Sequence, residues 1–173
     1  MNRGFYIIMA AQFFSALADN ALLIAAISML RDIQSPAQYE PLLKLFFTVS
    51  YVALAAFVGT FADSMAKGRV MLISNTIKIA GCFMMLVATV PMLDVLGIPL
   101  YYYVLLSYAI VGLGAAAYSP AKYGVLTEYL PHDKLVIANG WIEGLTVAAI
   151  ILGTVLGAVL INPTVSAHLM AID

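Results

Sequence analysis

The sequence predicts an all-α membrane protein with about five transmembrane helices and the start of a sixth, and three observations predict it. Of 173 residues, 64% are hydrophobic and only 10% are charged, where an ordinary soluble domain carries about 25% charged residues. The mean hydropathy is +1.00. Apolar stretches recur along the chain at the length of roughly 20 residues that a helix needs to cross a hydrocarbon core about 30 Å thick.

The first stretch, near 5–30, follows a basic start (MNRG). It outruns the apolar core of roughly 7–15 residues in a secretory signal, so it reads as a first span that also serves as an uncleaved insertion signal. The second is expected near 42–62 and the third near 70–90. The fourth, near 100–123, opens with Tyr101, Tyr102 and Tyr103, as an interfacial aromatic belt does. The fifth lies near 135–161, and after Asn162 and Pro163 a sixth begins in TVSAHLMAI. Residues 1–173 thus read as one polytopic bundle without repeat or soluble linker. Arg3 at the start, Lys67 and Arg69 in the second loop and Lys134 in the fourth outnumber the basic residues opposite, Arg31 and Lys44. The positive-inside rule then puts the N-terminus in the cytoplasm.

Composition also excludes. Eight Lys and Arg against nine Asp and Glu leave a formal net charge of −1, with nothing to attract nucleic acid. The single cysteine, Cys82, builds neither a disulfide framework nor a metal site. His132 and His168 have no triad or metal-ligand spacing around them. No enzyme is expected, and no cofactor or metal.

Polar residues at membrane depth are the candidates for function, because a charged side chain at a helix centre costs about 2.5–3.5 kcal/mol on insertion scales. Asp19 and Asn20 sit mid-way along the first span, with Ser15 one turn before Asp19 on the same face. Asn75 and Lys78 share a face of the third span, and Tyr118 and Lys122 a face of the fourth, with Tyr123 beside them. Asn139, Glu143 and Thr146 line one face of the fifth. Structural readings stand next to these. Lys122 is near enough to a helix end to snorkel to the interface, and Lys78 has Asp19 or Glu143 as a structural ion-pair partner. The small residues Gly112 and Ala116, Ala115 and Ser119, and Ala149, Gly153 and Gly157 recur at four-residue spacing, which lets helix backbones approach in lipid. Pro120 removes a backbone donor and favours a local bend.

The loop GTFADSMAKGRV resembles the signature between helices two and three of the major facilitator superfamily, roughly G-x-x-x-D-[RK]-x-G-[RK]-[RK]. Gly59 and Asp63 fall in place. Ser64 and Ala66 depart from the pattern, and the basic pair is displaced to Lys67 and Arg69. GLGAAAYSP, with Glu128 and Pro131 downstream, is similar to the superfamily's fourth-helix pattern. Together AQFFSALADNALL, VGTFADSMAKGRVM, GLGAAAYSPAKYG and NGWIE resemble one subfamily, the bacterial lysophospholipid transporters of the LplT type.

That resemblance implies a flippase moving lysophospholipids, mainly the ethanolamine and glycerol forms, from the outer to the inner leaflet of a bacterial inner membrane. There an acyltransferase–acyl-carrier-protein synthetase re-acylates them. It also implies a twelve-helix fold of which this chain is the N-terminal six-helix half, with the C-terminal half absent. Membrane lipids and the lysophospholipid are the expected ligands. Asp19, with Asn20, is the candidate for an ammonium head group. Lys122, aided by Tyr118 or Tyr123, is the candidate for the phosphate, and Lys78 and Glu143 complete the substrate set. An opening at the first, second and fifth helices would admit the tail. In the superfamily the loop signature forms charge contacts that break and reform as two halves rock. Gly59, Asp63, Lys67, Arg69 and Glu128 are the candidates for that gate. Two other readings stay open: a proton-coupled drug or metabolite exporter with Asp19 as proton carrier, and a non-transporting membrane scaffold.

Overall fold

The computed structural model describes residues 3–88 and 97–165. Five long helices are arranged in chain order: α1 (Arg3–Asp32), α2 (Tyr39–Asp63), α3 (Lys67–Val87), α4 (Leu100–Tyr129) and α5 (Leu135–Leu160). A 3₁₀ turn, His132–Lys134, joins the last two. No strand occurs among the described residues. α1, α3, α4 and α5 are each long and apolar enough to cross a membrane. α2 qualifies when its two pieces, Tyr39–Leu54 and Phe57–Asp63, set at 63° to each other, are taken as one bent span. The expected third-helix end at 89–90 and most of the sixth segment, with His168, lie outside the described residues.

α4 runs uninterrupted through Pro120 and past residue 123 to Tyr129. Its polar last turns look like a loop to a hydropathy reading, yet nothing in them breaks a helix before Leu130 turns extended ahead of Pro131. α1 stops by local geometry. Gln34 adopts a φ of 51°, the Ser35 N–H donates to the Leu30 carbonyl at 3.0 Å and the Gln34 N–H to Arg31 at 2.9 Å. This closes the helix in a Schellman arrangement that usually takes glycine at the left-handed position. Arg31 then makes a bidentate pair with Glu40, at 2.8 and 2.9 Å, across the α1–α2 turn.

Small residues set which helices meet. α1 packs along α5, in parallel. A Cβ added at Gly153 would stand 2.4 Å from the Leu17 carbonyl oxygen, and one at Gly157 2.9 Å from that of Ala21. α2 runs along α4 in the same way, with Phe47 Cα 3.0 Å from a Cβ built at Gly112 and the rings of Phe47 and Tyr108 5.4 Å apart. α3 lies antiparallel to α4, with Gly114 against Ser74 and Gly81 against Ser107 and Val111. Without a hydrophobic force between helices in lipid, such close backbone approach and the dispersion contacts it permits hold the bundle together.

Two apolar clusters close the ends. Ala26, Leu30, Leu43, Met85, Val104 and Tyr108 join α1 to α4 at one end. Phe5, Met9, Leu126, Ala138 and Ile142 tie α1, α4 and α5 at the other. Ile7, Phe57, Leu72 and Val136 stand two-thirds exposed or more, as side chains facing lipid do. Between the clusters, α4 and α1 keep their polar residues around an open cleft.

Candidate functional site

The cleft, about 130 Å³, is built by four helices. α1 contributes Gln12, Ser15 and Asp19, one side chain per turn. α2 contributes Tyr51, α3 Lys78, and α4 Tyr118, Ser119 and Lys122. At its floor Lys78 Nζ donates to Asp19 Oδ2 at 2.6 Å and to Ser15 Oγ at 3.0 Å. The Ser15 hydroxyl reaches Asn75 Oδ1 at 3.4 Å. The pair is largely withdrawn from solvent, with side-chain exposures of 10% for Lys78 and 20% for Asp19. The Lys78 ammonium also lies 5.2 Å from the ring centroid of Tyr118, so the cation is held by a carboxylate, a hydroxyl and a π face.

Lys122 is placed differently. The residue is 7% exposed, and its ammonium lies 4.5 Å from the Tyr123 ring centroid. It has no hydrogen-bond acceptor and no ion pair among the described residues. The Tyr123 hydroxyl donates to Glu143 Oε1 instead. Two further polar atoms are buried and unpartnered: the Tyr118 hydroxyl and Gln12 Oε1. Gln12 Nε2 donates to Thr146 Oγ1 at 3.4 Å. A buried polar atom without a partner costs roughly 1–3 kcal/mol, so a cleft with two such atoms, beside an ammonium that makes no hydrogen bond, is poised to take a polar ligand. The residues lining it carry two lysines against one aspartate. Glu143 attracts the Lys122 ammonium from the cleft's edge without forming an ion pair, which leaves room for an anionic group beside Lys122.

The structure therefore brings together Asp19, Lys78, Tyr118 and Lys122, and links Tyr123 and Glu143 at the cleft's edge. Asn20 is not part of it. Its Nδ2 donates to the Ala16 carbonyl at 2.8 Å, and its Cβ faces Gly153 of α5. One residue beyond Asp19 on a helix is a rotation of 100°, which carries it onto the packing face. Asn139 is exposed. Gln12, Tyr51 and Ser119 enter the cleft without having been singled out as ligands. Gln12 carried a signal, since it sits one turn before Ser15 and Asp19 on the same face. Tyr51 carried none.

The gate candidates share one end of the bundle without forming one cluster. Asp63, the last residue of α2, pairs with Lys67, the first of α3, across the short loop, and the Lys67 ammonium also donates to the Ala62 carbonyl at 2.8 Å. The Lys67 stem crosses α4 at Gly124, within 3.0 Å of where a Cβ would stand. Arg69 and Glu128 are exposed, and neither makes an ion pair among the described residues. Gly59 faces an apolar groove rather than the loop contacts. No group of three or more His, Cys, Asp or Glu converges among the described residues.

The family model described as the Major Facilitator Superfamily matches residues 8–171. The chain belongs to the major facilitator superfamily. The lysophospholipid transporter LplT of Yersinia enterocolitica serotype O:8 / biotype 1B is 45% identical over 160 residues, covering 92% of this chain and 36% of the relative. Those of Yersinia pestis (strain Pestoides F) and Yersinia pseudotuberculosis serotype O:3 are 42% identical over 171 residues, covering 99% of this chain and 38% of each relative. The chain thus spans little more than a third of the length of these relatives. No solved structure matches it. The aligned stretch takes in α1 to α5, and with them every cleft residue named above.

Proposed function

We propose that this chain builds the head-group wall of a lysophospholipid transporter. In this reading it is part of a flippase that carries lysophospholipids such as lysophosphatidylethanolamine from the outer to the inner leaflet of a bacterial inner membrane, with its N-terminus cytoplasmic. The observation that carries the reading is Lys122, a largely buried residue that lines the cleft and makes neither a hydrogen bond nor an ion pair among the described residues. A phosphodiester crossing hydrocarbon needs a cation and hydrogen-bond donors in place of water. Lys122 and the unpartnered Tyr118 hydroxyl supply them, and Asp19 is within the same cleft for an ammonium that competes with Lys78. The lysophospholipid transporters this chain resembles give the lipid class.

A zwitterionic head group meets lysines and a carboxylate, so the site needs no coupling ion. Asp19, already paired to Lys78, is poorly placed as a proton carrier. Because the cleft is open on one side, a second bundle packed across it completes the pathway. The product emerges in the inner leaflet, where an acyltransferase–acyl-carrier-protein synthetase is the proposed consumer.

The test is flipping of fluorescent lysophosphatidylethanolamine in spheroplasts expressing this chain together with the remaining length of a Yersinia relative. Flipping that survives collapse of the proton gradient and is lost in Lys122→Gln is expected. Flipping that disappears with the gradient moves the protein to the proton-coupled exporters, and no flipping by an inserted protein ends the lysophospholipid reading.

A further inference from the structure

A second, apolar groove of about 280 Å³ lies between α2 and α4, where Val58 and Gly59 face Ala116 and Pro120. It is continuous with the charged cleft, because Tyr51 and Ser119 line both. One cavity system therefore holds a charged end and an apolar end that meet at Ser119. That is the layout of a single-chain amphiphile.

The junction has its own chemistry. Pro120 has no N–H, so the Ala116 carbonyl four residues earlier is left without its helix donor. The Ser119 hydroxyl makes no hydrogen bond among the described residues. An acceptor that lacks its usual helix donor and an unpaired hydroxyl thus stand where the glycerol of a lipid would sit, with its phosphate at Lys122 and its tail beyond. A lysophospholipid differs from a diacyl lipid at this point, by one free glycerol hydroxyl and one missing chain.

Resting on the lysophospholipid reading above, we propose that the α2–α4 groove is the acyl-chain subsite, and that Ser119 and the Ala116 carbonyl recognise the free glycerol hydroxyl. This places the tail against α2 and α4 rather than at an opening formed by α1, α2 and α5. The groove accepts one chain, and a second acyl group on the glycerol would have to occupy the polar junction.

The test uses this chain in nanodiscs with two photoactivatable lysophosphatidylethanolamines, one carrying a diazirine at the end of its tail and one on its head group. Tail labelling is expected on Val58 and Ala116, and head-group labelling on Tyr118 and Lys122. Gly59→Leu fills the groove without disturbing the packing, since a Cβ at Gly59 meets nothing within 4 Å. It should remove tail labelling from these residues and leave head-group labelling in place, whereas Gly59→Ala should retain both. In competition, the free lysolipid should displace the probe about fivefold better than its 2-O-methyl ether, the value of about one hydrogen bond. Ser119→Ala should narrow that preference.

Tail labelling on Ile79 and Cys82, in the crevice between α1 and α3, or labelling indifferent to Gly59→Leu, overturns the subsite while leaving the lysophospholipid reading intact. Equal competition by the methyl ether overturns the glycerol contact. If neither probe labels the chain saturably, both the subsite and the lysophospholipid reading fall.

Discussion

Asp19 and Lys78 form the most consequential contact in the cleft, and removing one partner at a time separates structure from substrate binding. At 2.6 Å, and with little exposure of either side chain, truncating one leaves the other as a buried charge, for which losses of about 3–5 kcal/mol are typical. The lower end applies here, because Ser15 remains 3.0 Å from the Lys78 ammonium and the cleft is open to water. Asp19→Asn and Lys78→Gln should each destabilise the chain by about 3 kcal/mol, and the double variant by much less than the sum. The coupling is measured by unfolding the four proteins in bicelles by steric trapping. Additive losses, with a coupling below about 0.5 kcal/mol, would refute the claim that the two charges stabilise each other. Lysophosphatidylethanolamine binding to the stable double variant then settles the second role. If Asp19 receives the ammonium, the double variant binds the ethanolamine lipid less well and the glycerol lipid equally well. If the pair only braces α1 against α3, it binds both unchanged.

Other contacts give sharper single outcomes. Lys122→Gln should change thermal stability by no more than about 1 kcal/mol, as no ion pair is lost and only the cation–π contact with Tyr123 goes, while abolishing labelling by a head-group photoprobe; a stable protein that still labels would remove Lys122 from the site. Gly153→Ala drives a methyl to 2.4 Å from the Leu17 carbonyl, so steric trapping should report a loss of about 1–3 kcal/mol, and an unchanged stability would mean that α1 and α5 are not in this register. Gln34→Gly relieves a left-handed residue at 51° and should stabilise the α1 terminus by about 1 kcal/mol; destabilisation would contradict the Schellman turn. Asp63→Asn, joined to the remaining length of a relative, should slow flipping but leave lysolipid affinity unchanged, and parallel loss of both would count against a gating role.

The spans and their order were legible because hydropathy acts locally. Each long helix needs only its own apolar residues to be recognised, and the four-residue stripe Ala149, Gly153, Gly157 announced a close backbone contact without naming its partner. What could not be settled was which faces meet across helices: the sequence offered Lys78 either Asp19 or Glu143, and the fold selects Asp19. Asp19 and Lys78 are 59 residues apart, and helical periodicity relates residues within one helix but is silent about which face meets which. Asn20 and Asp19 illustrate the limit. Both are polar and mid-span, and 100° of helix rotation puts one in the cleft and the other against Gly153. The same silence hid Tyr51, an aromatic residue on a mostly apolar helix whose role depends on the bend and packing of α2.

The loop signature shows how a displaced residue redistributes contacts. With Ser64 in the position where the superfamily pattern has a basic residue, Asp63 has no adjacent cation, and it pairs across the loop with Lys67 at the start of α3. Lys67 reaches back to the Ala62 carbonyl while its stem crosses α4 over Gly124. The end of α2, the start of α3 and the end of α4 are thereby joined by one flexible side chain rather than by an Asp63–Arg69–Glu128 cluster. Arg69 and Glu128 remain exposed, available to partners beyond this bundle. Gly124, the last residue of the SPAKYG block, then has a packing reason: any larger residue would have to displace the Lys67 stem. That stem is flexible, so Gly124→Ala should cost less than Gly153→Ala, where the obstacle is backbone.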